Sequence, residues 1–464
     1  MAGDLFFEAE FEIPGGRSLP RESSIPSGLT TLAGIRVCLF ERHGANDLSL
    51  AGVLRDDRQI GCRTTDTKGH FEFRVPKLDC PRIGDCSRRL YYATDLCVWS
   101  ENRPQACVTV NTRQDAPVRS AGWNDEPEYR KFIWSTVERI SLTDRESSYM
   151  SWNLSCPADR GYGRTSPACD RATRGGYFDR KHSNYGYNRE AIHVLAAASQ
   201  VVRVWKSLIP SRTNTAGPGG RFCGDSKDRH DRAFECQDAV RLVLMKSRKL
   251  GMHYGRHCGR SKWGNYFRPW RSACIGEPMH PYATPHEMGH VVHSRFMNYR
   301  GGMNADDVSW TTGTAQKSQV GEGWADFFAT ATWFAPTARA PLVTGHAMES
   351  RQSLRSSCTA SGPQGELHAA QFFWDLYDAP SSDEPADTVS VELAMLLRVW
   401  SMFRGHRDGD ESRDRTPGEC DPHGRNVHDF MHYWRRLGGV GLPNADALLQ
   451  HNCVSRQVPQ TTCR

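Results

Sequence analysis

Two short runs in this chain carry residue types that can do chemistry together. His286-Glu287-Met288-Gly289-His290 sets two imidazoles at i and i+4, which a helix places on one face with the Glu287 carboxylate beside the first ring. The run Glu322-Gly323-Trp324-Ala325-Asp326 begins 32 residues after His290 and again spaces two functional groups by four. Two imidazoles and a carboxylate are the donor set of a one-zinc site that keeps an open position. Zinc is therefore the expected cofactor, with His286, His290 and Glu322 as its ligands. Glu287 follows a ligand on the same helix and is placed to act as general base toward water at that open position.

The elements that must position these groups are legible around them. Met288, Val291, Val292 and Phe296 give the stretch from Tyr282 to Phe296 an apolar face. Thr284 is a candidate cap and Pro285 suits a first helical turn. A buried helix bearing two histidines and a glutamate is costly unless something pairs with them, and a metal ion would. His293 does not complete the ligand set. It lies seven residues from His286, about 10 Å along a straight helix, and reads as a solvated or core-edge histidine. The stretch from Gln319 to Phe334 reads as a second buried helix, with Trp324, Phe327, Phe328 and Trp333 around it. Two acids in so apolar a helix need partners. Glu322 on zinc and Asp326 on the free ring nitrogen of a ligating histidine satisfy both.

An HExxH helix followed by a separate Glu-x-x-x-Asp helix resembles the gluzincin class of metallopeptidases, which includes thermolysin. The metzincin arrangement is closed, because it needs Gly at 293 and His at 296 where this chain has His293 and Phe296. Within the gluzincins, Gly321-Glu322-Gly323-Trp324-Ala325-Asp326-Phe327 looks like the second helix of the fungalysin branch. The resemblance implies zinc on His286, His290 and Glu322, Glu287 as base, and Asp326 bonded to His286. The segment from Gly365 to Asp378 is similar to a later helix of that branch, except that His368 stands where Trp is usual and no His immediately precedes Gly365-Glu366. The likeness covers about residues 190–400. Peptide hydrolysis by a metal-activated water also needs a donor to the developing oxyanion. His368 is the leading candidate, with His346, Tyr299 and Tyr377 as others.

Composition bounds the rest. The chain has 464 residues and a net charge of +6 from 59 basic and 53 acidic side chains. No Lys/Arg block and no basic face interleaved with aromatics points to nucleic acid. No apolar run approaches the length of a transmembrane helix. Sixteen cysteines occur without one C-x-x-C, which argues against zinc ribbons and thioredoxin-type chemistry. Close neighbours suit local disulfides: Cys80/Cys86, Cys97/Cys107, Cys156/Cys169, Cys223/Cys236, Cys258/Cys274 and Cys453/Cys463. No signal peptide is visible between Met1 and Phe7, so cysteine usage reads the chain as a mature exported form, extracellular or periplasmic, with its leader removed.

The expected fold class is multidomain α+β, an N-terminal β-sandwich followed by a thermolysin-like catalytic domain of small sheet plus helical lobe. Residues 1–115 alternate as strands and resemble transthyretin-like or carboxypeptidase-regulatory-like sandwiches, which could bind a cell-surface glycan or protein. Residues 116–187 read as an irregular, cysteine-containing connector, and residues 188–464 as the metallopeptidase domain. The charged loop at 405–425 could hold calcium, although its acids do not follow EF-hand spacing. The functional expectation is a secreted zinc endopeptidase acting on polypeptides. An exopeptidase, a glycoprotein or cell-wall-peptide hydrolase using the same site, and a zinc-stapled adhesion protein are the alternatives.

Overall fold

The structure is a computed structural model. It describes residues 2–8, 29–41, 58–74, 90–100, 103–110, 134–136, 152–153, 176–177, 186–205, 240–244, 264–267, 272–277, 280–296, 316–338, 342–343, 346–348, 363–379, 389–401, 427–438 and 445–452. Of the expected features, the 405–425 loop, Tyr299 and most of the 116–187 connector lie outside these residues, as do all the paired cysteines except Cys97, Cys107 and Cys274.

Two sheets form from the first ten strands and the next three. In chain order these are β1 (Ala2–Glu8), β2 (Leu29–Thr31), β3 (Ile35–Glu41), β4 (Arg58–Thr64), β5 (His70–Glu72), β6 (Leu90–Ser100), β7 (Arg103–Val110), β8 (Trp134–Thr136), β9 (Trp152–Asn153), β10 (Gly176–Tyr177), β11 (Val240–Leu244), β12 (Gly264–Phe267) and β13 (Ser272–Ile275). A small sheet gathers β2, β5 and β9 around β1. The large sheet runs β10-β8-β6-β7-β11-β13-β12, and β3 pairs with β6 and carries β4 beyond it. A short hairpin, β14 (Leu342–Val343) and β15 (His346–Ala347), stands apart.

The pairing of β7 with β11 joins segments that the sequence separates. The two strands run parallel, in register from Val240↔Ala106 to Leu244↔Val110. Strands expected in a separate sandwich before residue 115 and strands expected to open the catalytic domain after residue 188 thus share one sheet. A parallel pair needs a crossover connection, and helix α1 (Gly186–Trp205) lies in that connection, over β6 and β7.

Alternation explains the sheet's inner face. Ile35, Val37 and Leu39 on β3 are fully buried while Arg36, Cys38 and Glu41 are only partly so, the period of a half-buried strand. Val98, Ala106, Val108, Leu242, Ala273 and Ile275 extend the buried surface across the sheet. Two disulfides link directly paired residues, Cys38–Cys62 between β3 and β4 and Cys97–Cys107 between β6 and β7. The second was expected from spacing. The first joins residues 24 apart in sequence, and the local spacing used above did not suggest it.

Helix α1 is buried from Ala191 through Val202, as befits a helix with apolar residues on more than one side. It separates the sheet from a helical layer made of α2 (Ala283–Phe296), α3 (Gln316–Trp333), α4 (Pro363–Tyr377), α5 (Leu393–Ser401), α6 (Val427–Gly438) and α7 (Asp446–His451). Helix α3 is the centre of this layer and packs against α1, α2 and α4. Trp205 stacks on Phe328 with ring centroids 3.8 Å apart, and its Nε1 donates to Thr332 Oγ1 at 3.2 Å. Trp324, Phe373, Trp400 and Phe430 continue the aromatic core outward to α4, α5 and α6. Among the described residues, no helix is long and apolar enough to cross a membrane.

Candidate metal centre

Helix α2 follows β13, the strand next to the end of the large sheet. A turn over residues 280–283, closed by Ala283 N–H to His280 O, leads into it, and His280 N–H donates to Glu277 O. Trp333, the last residue of α3, donates its Nε1 to Pro281 O at 2.9 Å and so ties the far end of α3 to the start of α2. The helix starts at Ala283, one residue before the expected cap. Thr284 therefore sits inside the first turn, and its buried hydroxyl has no hydrogen-bond partner. The free helix start is met by the backbone turn instead.

Two glycines let three helices approach closely enough to bring the functional groups together. A Cβ added at Gly289 would lie 3.0 Å from Ala325 Cα and 3.1 Å from Phe328 Cβ. One added at Gly323 would lie 2.6 Å from both Ala369 Cβ and Glu366 O. Helices α2 and α3 thus touch backbone to backbone beside His290, and α3 and α4 do so beside Glu322.

The resulting cluster is compact. His286 Nε2 lies 3.1 Å from Glu322 Oε2, His290 Nε2 lies 3.2 Å from the same oxygen, and the two ring nitrogens are 3.2 Å apart. The rings meet edge to face, 86° between their planes. On its other side His286 Nδ1 donates to Asp326 Oδ1 at 2.9 Å. That bond leaves Nε2 of a neutral His286 with a lone pair, pointing at a carboxylate oxygen and a second ring nitrogen. With both rings neutral and their Nε2 atoms unprotonated, three acceptor atoms converge, an arrangement that a cation between them would stabilise. The triangle they form has edges of 3.1 to 3.2 Å, close to the about 3.3 Å edge of a tetrahedron with zinc bonds of about 2.0–2.1 Å. His286, His290 and Glu322 are thus a group that could hold a metal ion, and zinc fits their spacing and chemistry. All three are partly exposed, so the cluster is open to solvent on one side.

The charged groups of the cluster act strongly on one another. Burial works against a charged His286, but the hydrogen bonds and charges of Asp326 and Glu322 outweigh it and raise its pKa well above the usual range. Burial would raise Glu322, yet the charge of His290 and the bonds to both rings hold its carboxyl well below the ordinary value. Glu287 is different. It is only 3 % exposed, its Oε2 has no hydrogen-bond partner, and burial pushes its pKa up to about 7 against the opposing charges of His286 and His290. A carboxylate with a pKa near neutrality and an uncommitted oxygen has the properties of a general base.

The remaining candidates sit in surroundings of their own. His293 is fully buried, not solvated. It packs edge-on against Trp400 with centroids 4.1 Å apart, and neither ring nitrogen has a hydrogen-bond partner. Burial and the nearby charge of His290 lower its pKa to about 3, so it is a neutral core residue. His368 is 1 % exposed on α4, with Nε2 unbonded and its pKa lowered by burial. Tyr377 is buried among Phe327 and Trp374. His346 stands on β15, in the short hairpin.

One acid near the cluster received no role from its sequence position. Glu366, in the first turn of α4, is pushed up to about 8 by burial and by the negative charges of Glu322 and Asp326, partly offset by His286. The signal available in sequence was the pair of glycines, since an isolated Gly inside a helical pattern marks close packing; it could not say which helix approaches.

No family model, no curated protein and no solved structure matches this chain.

Proposed function

We propose that this protein is a zinc-dependent peptidase of gluzincin type, in which His286, His290 and Glu322 hold the metal and Glu287 is the general base. The observation that carries the reading is the triangle of three acceptor atoms, open to solvent, with the buried and uncommitted Glu287 carboxylate next to it. Zinc, when bound, supplies Lewis acidity toward a carbonyl and toward water. The chain supplies the rest. Glu287 takes a proton from the attacking water through Oε2 and returns it to the leaving amine, so no covalent acyl-enzyme is needed. Asp326 fixes the His286 ring in the tautomer whose Nε2 lone pair faces the ligand triangle. A site whose only task was to staple the fold would have no use for the base.

The architecture we attach to this reading is a small sheet plus a helical lobe, with the N-terminal strands built into the sheet. Cross-strand disulfides fit an oxidising compartment, and we place the protein outside the cytosol on that ground. The test is a mixed peptide library digested by zinc-loaded wild type and by Glu287→Ala, with bound zinc counted in both. Cleavage at internal bonds by wild type, none by the variant, and one zinc in each is the expected result. Equal zinc with no cleavage by either protein refutes the peptidase reading and leaves a metal-stapled binding protein.

A further inference from the structure

Helices α2 and α3 run antiparallel past one another, and their contacts form a ladder. His290 lies against Glu322, Gly289 against Ala325 and Phe328, His286 against Asp326, and Pro281, just ahead of α2, against Trp333, the last residue of α3. The rung at Gly289 is a backbone contact. A glycine has no side chain to interlock with α3, so that rung sets how close the helices come and leaves their slide along one another free. The His286–Asp326 rung joins two side chains and orients a ring. The Trp333 rung differs from both, because its indole Nε1 donates at 2.9 Å to a main-chain oxygen, Pro281 O. His286 thus stands between a contact at Gly289 and a tie at Pro281.

The sequence explains why that oxygen is on offer. In an α-helix the carbonyl of residue i takes the N–H of residue i+4. The residue four beyond Pro281 is Pro285, which has no N–H to give. His286 N–H bonds to Tyr282 O at 2.9 Å, so the regular pattern begins one residue later. The indole of Trp333 stands in for the donor that Pro285 lacks. Trp333 is fully buried, and a buried indole N–H usually needs an acceptor, so the bond serves both ends. It also acts on the right segment, since Pro281 is five residues from His286 and Trp333 seven from Asp326. One residue of slide between the helices is about 1.5 Å, half of the 3.1 to 3.2 Å that separates the ligand atoms.

We infer that Trp333 is a positioning residue of the metal centre: through the Pro281 carbonyl it fixes where α2 starts against α3, and so holds His286 and His290 opposite Glu322. The inference rests on the metal-binding reading of that triangle and says what presets its shape. In this role Trp333 touches neither ion nor substrate; it acts through the backbone that carries His286.

The experiment compares the full-length wild type with Trp333→Phe, Trp205→Phe, Pro285→Ala and the double variant carrying Trp333→Phe and Pro285→Ala. Zinc affinity is read by competition with a chromophoric chelator, and the visible absorption of Co²⁺ bound in place of zinc reports the geometry around the ion. Trp333→Phe keeps an aromatic ring and removes the N–H. Its zinc affinity should fall about three- to tenfold, the worth of one hydrogen bond, and its cobalt bands should shift. Trp205→Phe is the matched control. It also removes an indole N–H bonded to the last turn of α3, at Thr332 Oγ1, but that bond comes from α1 and leaves the Pro281 carbonyl untouched. It should lower the melting temperature and keep the wild-type cobalt spectrum. Pro285→Ala restores a backbone N–H four residues beyond Pro281, so the double variant should bind zinc more tightly than Trp333→Phe and return the cobalt bands toward the wild-type position. If Trp333→Phe alone does not fold, the double variant carries the test and is expected to fold and bind. Wild-type affinity and cobalt bands in Trp333→Phe, equal cobalt shifts in the two tryptophan variants, or no rescue by Pro285→Ala would overturn this inference and leave the metal-site reading standing. A wild type that binds neither zinc nor cobalt would overturn both.

Discussion

His286 is held between two carboxylates, and its ring can donate only one proton without becoming a cation. With Nδ1 committed to Asp326, a neutral ring presents its lone pair to the triangle. Asp326→Asn keeps the shape but can offer an N–H where an acceptor is required, which favours the other tautomer. Zinc affinity or peptidase activity should fall about 10–100-fold, read by competition against a chromophoric chelator. Affinity equal to wild type would show that Asp326 does not set the ring. His293, three residues past the second ligand, has the opposite character, because nothing bonds to it. Its folded pKa of about 3 lies below an unfolded value of about 6.5. Between those values the unfolded chain binds a proton that the folded chain does not, so stability falls as pH drops through that window, by at most about 1.4 kcal/mol per pH unit. His293→Leu should flatten this dependence. It should also match or exceed wild type at pH 7, since unpaired buried polar atoms cost about 1–3 kcal/mol. Urea unfolding at pH 5 and pH 7 measures both, and an unchanged slope would rule out His293 as the source.

At the scale of elements, the site exists because α2, α3 and α4 cross at glycines. Gly323→Ala gains about 1 kcal/mol of helix propensity. It also drives a methyl group to 2.6 Å from a backbone oxygen of α4, and overpacking of this kind costs about 1–3 kcal/mol or more. The variant should melt below wild type and bind zinc more weakly, because Glu322 is the preceding residue. Gly289→Ala meets its neighbours at 3.0–3.3 Å and should be milder. If both variants melt above wild type, helix contact at these glycines does not govern the site. The same elements show what a sequence can tell. Apolar spacing placed α2 and α3 within about three residues of their observed ends, because a helix periodicity is written locally, and the family likeness did the same for α4. The i, i+4 pairs named the cluster for a similar reason: a helix turns four residues into one face. The mutual approach of α3 and α4 is a tertiary fact, so Glu366 was visible only as half of a Gly-Glu pair. His293 looked peripheral because its burial depends on Trp400, more than a hundred residues away in sequence.

At the scale of the whole molecule, the question is whether the first hundred residues are a domain. Their alternation and turns read locally as a sandwich, but the parallel pairing of β7 with β11 is not encoded by any local pattern. Strand β7 has β6 on one side and β11 on the other. Helix α1 covers β6 and β7, and it also binds back to the N-terminal segment through Ser199 Oγ, which donates to Ala33 O. The small sheet draws on the far side of the boundary too, since β9 pairs with β1. A 1–115 fragment would keep β4-β3-β6-β7 and both disulfides. It would lose the layer over Val98, Ala106 and Val108, and it would leave β7 as an unpaired edge. A single sheet with one apolar face uncovered lacks the second layer that a stable domain needs, and an open edge beside it invites aggregation. The oxidised fragment should therefore give a collapsed, poorly dispersed amide spectrum or precipitate, while the full chain shows dispersed resonances for β6 and β7. A fragment with sharp, dispersed resonances and cooperative melting would show an independent module that merely docks on the catalytic sheet. The first outcome makes residues 29–110 part of the frame that holds the metal centre, and substitutions on β7 would then weaken zinc binding from across the sheet.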